Sequence, residues 1–148
     1  MMTSVRTILL AEDNANDAEL TLAALREHPI ANDIIVVSDG AAALDYLYRR
    51  GEFHDRSPEL PGLVLLDLKM PKVDGLEVLQ AVRNDPVLKF LPVVILTSSR
   101  EEADLVRSYR LGVNAYVVKP VAFEDFMKAV KVLGQFWAVI NEPPPPAE

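Results

Sequence analysis

Five short apolar runs punctuate this chain, each followed by a longer stretch of helical periodicity, and that alternation leaves little choice of fold. The runs are TILLA (Thr7–Ala11), DIIVV (Asp33–Val37), LVLLD (Leu63–Asp67), VVILT (Val93–Thr97) and AYVV (115–118). They are apolar throughout rather than at every second residue. Strands buried on both faces of a parallel sheet read this way. Five such strands alternating with five helices predict an α/β architecture: a doubly wound parallel sheet covered by helices on both sides. No internal repeat and no second domain interrupts the pattern.

The helices carry their own punctuation. Asn14 starts the first, with Asp17 at capping-box spacing, and Ala15, Ala18, Leu22 and Leu25 fall on one face. Asp39 starts the second, which Gly51 stops. A polar loop over residues 51–61 follows, longer than most connections in α/β domains. Asp74 and Glu77 open the third helix through GLEVLQAVRN, and Asp85-Pro86 breaks it. A fourth runs through REEADLVRSYRL to Gly112. The last spans about 122–140, so residues 1–141 are expected to form the domain. The ending NEPPPPAE is expected to be an extended, proline-rich disordered tail over residues 142–148.

Composition narrows the function. With a net charge of −7, no nucleic-acid partner gripped through bulk charge is expected. The absence of cysteine excludes disulfides, thiolate catalysis and zinc-thiolate sites. The N-terminal apolar stretch is too short for a signal peptide, and no window is long enough to span a membrane. A soluble cytoplasmic protein is expected.

The polar residues fall where such a sheet binds ligands, outside the carboxyl ends of its strands. Strand one ends on Glu12-Asp13, strand three on Asp67, strand four on Thr97-Ser98-Ser99 and strand five on Lys119-Pro120. Taken singly, each has an ordinary role: acids favouring a helix dipole, a turn aspartate, a β-branched strand residue, a solvated lysine. Together they bring carboxylates, a hydroxyl and an ammonium to one rim. Clustered carboxylates raise one another's pKa unless a cation joins them, and a hard oxygen-loving ion such as Mg2+ answers that need. With Lys119 and Thr97 alongside, the rim suits a phosphoryl group, and Asp67 is placed to be the nucleophile that takes it.

Glu12-Asp13, Asp67 followed by MPKVDG, Thr97 and the KP pair at Lys119-Pro120 resemble, in order and over nearly the whole chain, the receiver domains of two-component response regulators. The resemblance implies a flavodoxin-like fold with strand order 2-1-3-4-5. It makes Asp67 the phosphoacceptor, phosphorylated by a sensor histidine kinase. Asp13 and Asp67 would hold Mg2+, Glu12 would assist through water, and Lys69 would offer its backbone carbonyl. Lys119 would pair with the phosphoryl oxygens, Thr97 would hydrogen-bond to them, and Tyr116 would turn inward as the switch aromatic. The Lys119-Pro120 bond would be cis. The surface of the fourth helix, fifth strand and fifth helix would change with phosphorylation. The 51–61 loop and the ending GQFWAVINEPPPP resemble the small stand-alone regulators of bacterial phytochrome histidine kinases. One departure is Lys69 itself, a cation two residues past the acceptor and at the site mouth.

The last helix carries more apolar surface than docking needs. Phe123, Phe126, Val130, Leu133, Trp137 and Ile140 form one stripe, and Ala129, Val132, Phe136 and Val139 a second beside it. The second is expected to stay exposed and to form a homodimer through Val132, Phe136, Trp137 and Val139. Coverage by the tail or the long loop is the alternative. Other functions fit less well. A flavodoxin-like electron carrier needs a hydroxyl- and glycine-rich phosphate loop where this chain has EDNAND. A haloacid-dehalogenase-type phosphohydrolase needs a second aspartate where Lys69 stands. No metabolic enzyme activity is expected beyond self-directed phosphotransfer and dephosphorylation. A degenerate receiver serving as an unphosphorylated scaffold would lack a site residue, and none is missing.

Overall fold

Backbone hydrogen bonding joins the apolar runs into one five-stranded parallel sheet of order β2-β1-β3-β4-β5. In this computed structural model, residues 7–26, 33–56, 59–70, 72–102 and 115–133 are described. The strands are β1 (Thr7–Ala11), β2 (Asp33–Val37), β3 (Leu63–Asp67), β4 (Val93–Thr97) and β5 (Tyr116–Val118). Helices α1 (Ala15–Leu25), α2 (Gly40–Tyr48) and α3 (Gly75–Asn84) follow the first three strands, and a last helix (Phe123–Leu133) follows β5. Residues 100–102 are helical; the rest of the helix expected there lies outside the described residues. No described helix is long and apolar enough to cross a membrane.

The sheet divides the core by strand parity, as side chains alternate across it. Leu9, Ala11, Val64, Leu66, Val93 and Ile95 pack with Ala43, Tyr46 and Leu47 of α2 and Val78, Leu79 and Val82 of α3. Ile8, Leu10, Leu63, Leu65, Val94, Leu96 and Val117 pack with Ala24 and Leu25 of α1 and Phe126 and Ala129 of the last helix. β3 and β4 are buried at every position. β2 departs from the expected burial because it is an edge strand, with Val36 41% exposed.

Local details correct several expectations. The buried face of α1 is Ala18, Thr21, Ala24 and Leu25; Ala15 is exposed and Leu22 only half-buried, because the polar Thr21 carries part of the apolar stripe. Only half of the expected capping box forms there. Asn14 accepts from the Asp17 amide at 2.9 Å, while the Asn14 amide donates to Glu12 Oε2 at 3.2 Å, leaving the Asp17 carboxylate free for other use. α2 ends before Gly51: Arg49 takes the left-handed cap conformation with φ of 57°, and Gly51, with φ of 60°, opens a 3-10 turn. α3 has the full capping box between Asp74 and Glu77. In the last helix Ala129 is buried with Phe126, three residues away, so it belongs to the docked face and not to a second exposed stripe. The side chain of Val132, and residues Phe136, Trp137 and Val139, lie outside the described residues, as does the 142–148 tail.

The 51–61 loop is fastened to α2. Arg56 donates from Nε to the Tyr46 carbonyl at 2.6 Å, and its guanidinium lies 4.4 Å from the centre of the Tyr46 ring. Phe53 packs edge-on against the same ring at 5.1 Å. One tyrosine thus anchors the connection that leads into β3.

Candidate functional site

Sheet register alone brings the predicted residues together. Ala11 pairs with Leu66, so the next residues of the two strands, Glu12 and Asp67, reach the rim side by side. Asp67 pairs with Leu96, one residue before Thr97, and Thr97 pairs with Val118, one before Lys119. The backbone ladder extends past the strand ends: Glu12 N donates to Val37 O at 3.0 Å and Lys119 N to Thr97 O at 2.8 Å. The Lys119-Pro120 peptide is cis, as the resemblance implied.

Lys119 is the hub of the site. Its Nζ lies 2.9 Å from Glu12 Oε1, 3.1 Å from Asp17 Oδ2 and 3.2 Å from Asp67 Oδ2. Asp17, on the first turn of α1, was not among the expected site residues. Its spacing from Asn14 read as a cap partner, whereas the carboxylate turns to the lysine instead. Glu12 and Asp67 are buried, at 2% and 6% exposure, while Asp13 stands exposed at the edge. Burial pushes the Glu12 carboxyl up to about 7; Lys119 pulls it down, and neighbouring Asp67 adds to the rise. Burial also opposes the charge on Lys119, but Glu12, Asp17 and Asp67 outweigh that and hold the ammonium above its usual range.

The donor set suits a hard divalent ion. Glu12, Asp13 and Asp67 each offer a carboxylate oxygen, and these lie within 4.8 Å of one another. One lysine does not neutralise four nearby carboxylates, and Asp67 adds to the rise that burial imposes on the Glu12 carboxyl. A divalent cation held by these acids would reverse that rise.

Thr97 presents the opposite condition. It is fully buried, and its hydroxyl has no hydrogen-bond partner among the described residues. An unpaired buried hydroxyl costs about 1–3 kcal/mol, which makes Thr97 a candidate donor to a group held at the rim. Tyr116, half-buried, pairs with Ile95, two residues before Thr97. The two side chains therefore lie on the same face of the sheet as diagonal neighbours.

Lys69 reaches away from the acids. Its Nζ pairs with Glu102 Oε2 at 3.0 Å, and Glu102 Oε1 accepts from the Ser98 amide at 2.9 Å. Glu102 was also missed, although Ser99-x-x-Glu102 has the spacing of a helix-start signature, and Ser99 Oγ does accept from the Glu102 amide at 3.2 Å.

Two glycines bring the helices close to the site. Gly75 N donates to Leu68 O at 2.9 Å, just past Asp67. Gly40 abuts the backbone of Val73 in the loop after β3. Lys72, with φ of 69°, turns that loop and pairs with Asp39 at 3.5 Å.

Comparison with known proteins agrees with this geometry. A family described as response regulator receiver domain matches residues 8–131. The solved structure of the bacteriophytochrome response regulator AtBRR superposes with a TM-score of 0.89 at 59% identity, covering 95% of this chain and all of that one. Response regulator Rcp1 of Synechocystis sp. is 42% identical over 132 residues, 89% of this chain and 88% of its own. Its Mn(2+)-bound crystal structure gives a TM-score of 0.71 at 40% identity, covering 96% of this chain and 99% of that one. The probable methanogenesis regulatory protein FilR2 of Methanothrix harundinacea is 44% identical over 140 residues, 95% of this chain and 88% of its own.

Proposed function

This chain belongs to the response regulator receiver domains, and from that premise we propose that it accepts a phosphoryl group on Asp67 from a sensor histidine kinase of the phytochrome type. In the transfer, the N–P bond of a phosphohistidine breaks and an O–P bond to an Asp67 carboxylate oxygen forms. The observation that carries this reading is the convergence of Asp67, Glu12 and Asp17 on the Lys119 ammonium. Lys119 orients the Asp67 carboxylate and is placed to meet the phosphoryl oxygens. Glu12, Asp13 and Asp67, with the Lys69 backbone carbonyl, would hold Mg2+, which neutralises charge as the phosphoryl group arrives. The kinase class rests on the bacteriophytochrome response regulators among the similar structures, at 59% identity; FilR2, at 44%, is a probable methanogenesis regulatory protein instead. Incubation with Mg2+ and acetyl phosphate tests the reading: intact mass should show one hydroxylamine-labile phosphoryl adduct, and its absence overturns the assignment.

Thr97 supplies the switch. Its unpaired hydroxyl gains an acceptor only when Asp67 carries phosphate, and its movement toward that acceptor frees space for Tyr116. Thr97→Val keeps the shape and removes the orphan hydroxyl. The unmodified protein should then gain about 1 kcal/mol, read as a melting temperature raised by roughly 3 °C. Phosphorylation of that variant should leave the Tyr116 ring resonances where they are, whereas in wild type they move.

Output is proposed to pass through a homodimer built on the last helix, with the domain ending near residue 141. The support is the apolar content of Val132, Phe136, Trp137 and Val139 in the sequence. Phe136→Ala should convert a dimer to a monomer by light scattering; an unchanged mass removes Phe136 from the interface. The scaffold reading, in which no phosphate is taken, is disfavoured by the complete acid, lysine and hydroxyl set.

A further inference from the structure

Two anion-binding groups at the β4 side of the rim are already occupied by an anion of the protein's own. Ser98 N–H, directly after Thr97, and Lys69 Nζ, two residues after Asp67, both contact the single carboxylate of Glu102, at 2.9 and 3.0 Å. Glu102 is only 17% exposed, and its pKa is lowered first by the Ser98 amide and then by Lys69, so it is a carboxylate held by genuine donors. On the opposite side, Lys119 is shared among Glu12, Asp17 and Asp67. A phosphoryl group on Asp67 brings nearly two negative charges and several acceptor oxygens to this rim. Beyond the Thr97 hydroxyl, the donors it can draw on, Ser98 N–H, Lys69 and Lys119, are committed elsewhere in the unmodified protein.

We propose that Glu102 is a stand-in for the phosphoryl group, holding Ser98 N–H and Lys69 until phosphorylation of Asp67 displaces it. The inference rests on Asp67 as phosphoacceptor and adds a positioning residue to that site. Before transfer, Glu102 ties the loop after β3 to the loop after β4 and keeps both donors ordered. After transfer, the phosphoryl oxygens take one or both donors, and the Glu102 carboxylate is released. Since Glu102 also lies in the first turn of the helix that Ser99 caps, its release changes the start of that helix. Charge at the mouth thereby reaches an element that no phosphoryl oxygen touches. Glu102 weakens the phosphorylated state by competing with it.

Beryllium fluoride with Mg2+, a phosphoryl mimic, reads this without turnover. Glu102→Gln keeps an acceptor for Ser98 but drops the charge, so it should bind the mimic about 3- to 10-fold more tightly than wild type. Glu101→Gln removes an equal charge from the exposed neighbour and should change affinity less than twofold. In wild type, the Glu102 side-chain carboxyl carbon and the Ser98 amide should both shift on binding, a readout that needs no variant. An E102Q affinity equal to that of wild type or of E101Q overturns the inference, as does a Glu102 carboxyl signal that stays fixed while the mimic binds. A wild type that binds no mimic overturns the Asp67 assignment and this inference with it.

Discussion

Asp67→Asn should eliminate the phosphoryl adduct completely and, in chelator, raise the melting temperature. The first effect follows from chemistry: an amide oxygen carries no charge with which to attack phosphorus. The second follows from the cluster's electrostatics. Asp67 is attracted to one group, Lys119 at 3.2 Å, and repelled by two, Glu12 and Asp13, all with oxygens within 4.8 Å. Removing its charge leaves Lys119 still satisfied by Glu12 and Asp17. It also removes part of the push that raises the Glu12 pKa. Breaking a buried pair is normally costly because a charge is stranded; here none is. The expected gain is roughly 1 kcal/mol, or about 3 °C. Mg2+ should stabilise wild type and leave the variant nearly unmoved, since one of its three carboxylates is gone. A variant that melts below wild type in chelator would falsify this account of the cluster.

Gly75→Ala should destabilise the protein by about 3 kcal/mol and lower its melting point by roughly 10 °C. Alanine inside a helix ordinarily stabilises relative to glycine by close to 1 kcal/mol, so the expected sign is reversed. The cause is backbone proximity. A Cβ on Gly75 would overlap the carbonyl oxygen of Asp67 and sit 2.9 Å from the Leu68 Cα. No side chain can swing aside to relieve that. Either α3 withdraws from the end of β3, breaking the bond from Gly75 N to Leu68 O, or the Asp67 peptide tilts and carries its carboxylate out of register. Phosphoacceptance should therefore fall with stability in chemical-denaturant melts and adduct-formation assays. Gly40→Ala provides the control. Its Cβ would overlap the Val73 carbonyl oxygen and lie 2.6 Å from the Val73 carbonyl carbon, in the loop beyond the acceptor. A comparable loss of stability is expected, with less loss of phosphoacceptance per kcal/mol.

The strands were legible nearly to the residue because burial on both sheet faces writes itself as an unbroken apolar run. β3 and β4 run as expected, and β5 begins one residue later, at Tyr116. α3 was equally clear, since Asp74 and Glu77 mark its start and Asp85-Pro86 its end. Where one residue type serves two purposes, the sequence misled. Thr21 is polar by composition yet packs in the core. Arg49 takes a left-handed cap that glycine was expected to provide. Asp17 has the position of a capping acid but answers to Lys119, 102 residues away in the chain. The strand-end positions Glu12, Asp13, Asp67, Thr97 and Lys119 were legible as one rim because parallel register delivers strand ends there, whereas Asp17 enters from a helix. Glu102 was not legible: local spacing marks it as a helix-start acid beside Ser98 and Ser99, but its approach to Lys69, from the loop after β3, is encoded by no local spacing.

The long connection over residues 51–61 enters β3 at Leu63, whereas Asp67 stands at that strand's other end. Four residue steps of strand, about 13 Å, separate them. The molecule is thus polarised: chemistry occupies one pole, and the lengthened segment, pinned through Arg56 to Tyr46, occupies the other. Extra sequence there is insulated from the reaction. A fluorophore or affinity handle spliced into that pole could report on the protein without meeting the phosphoryl group.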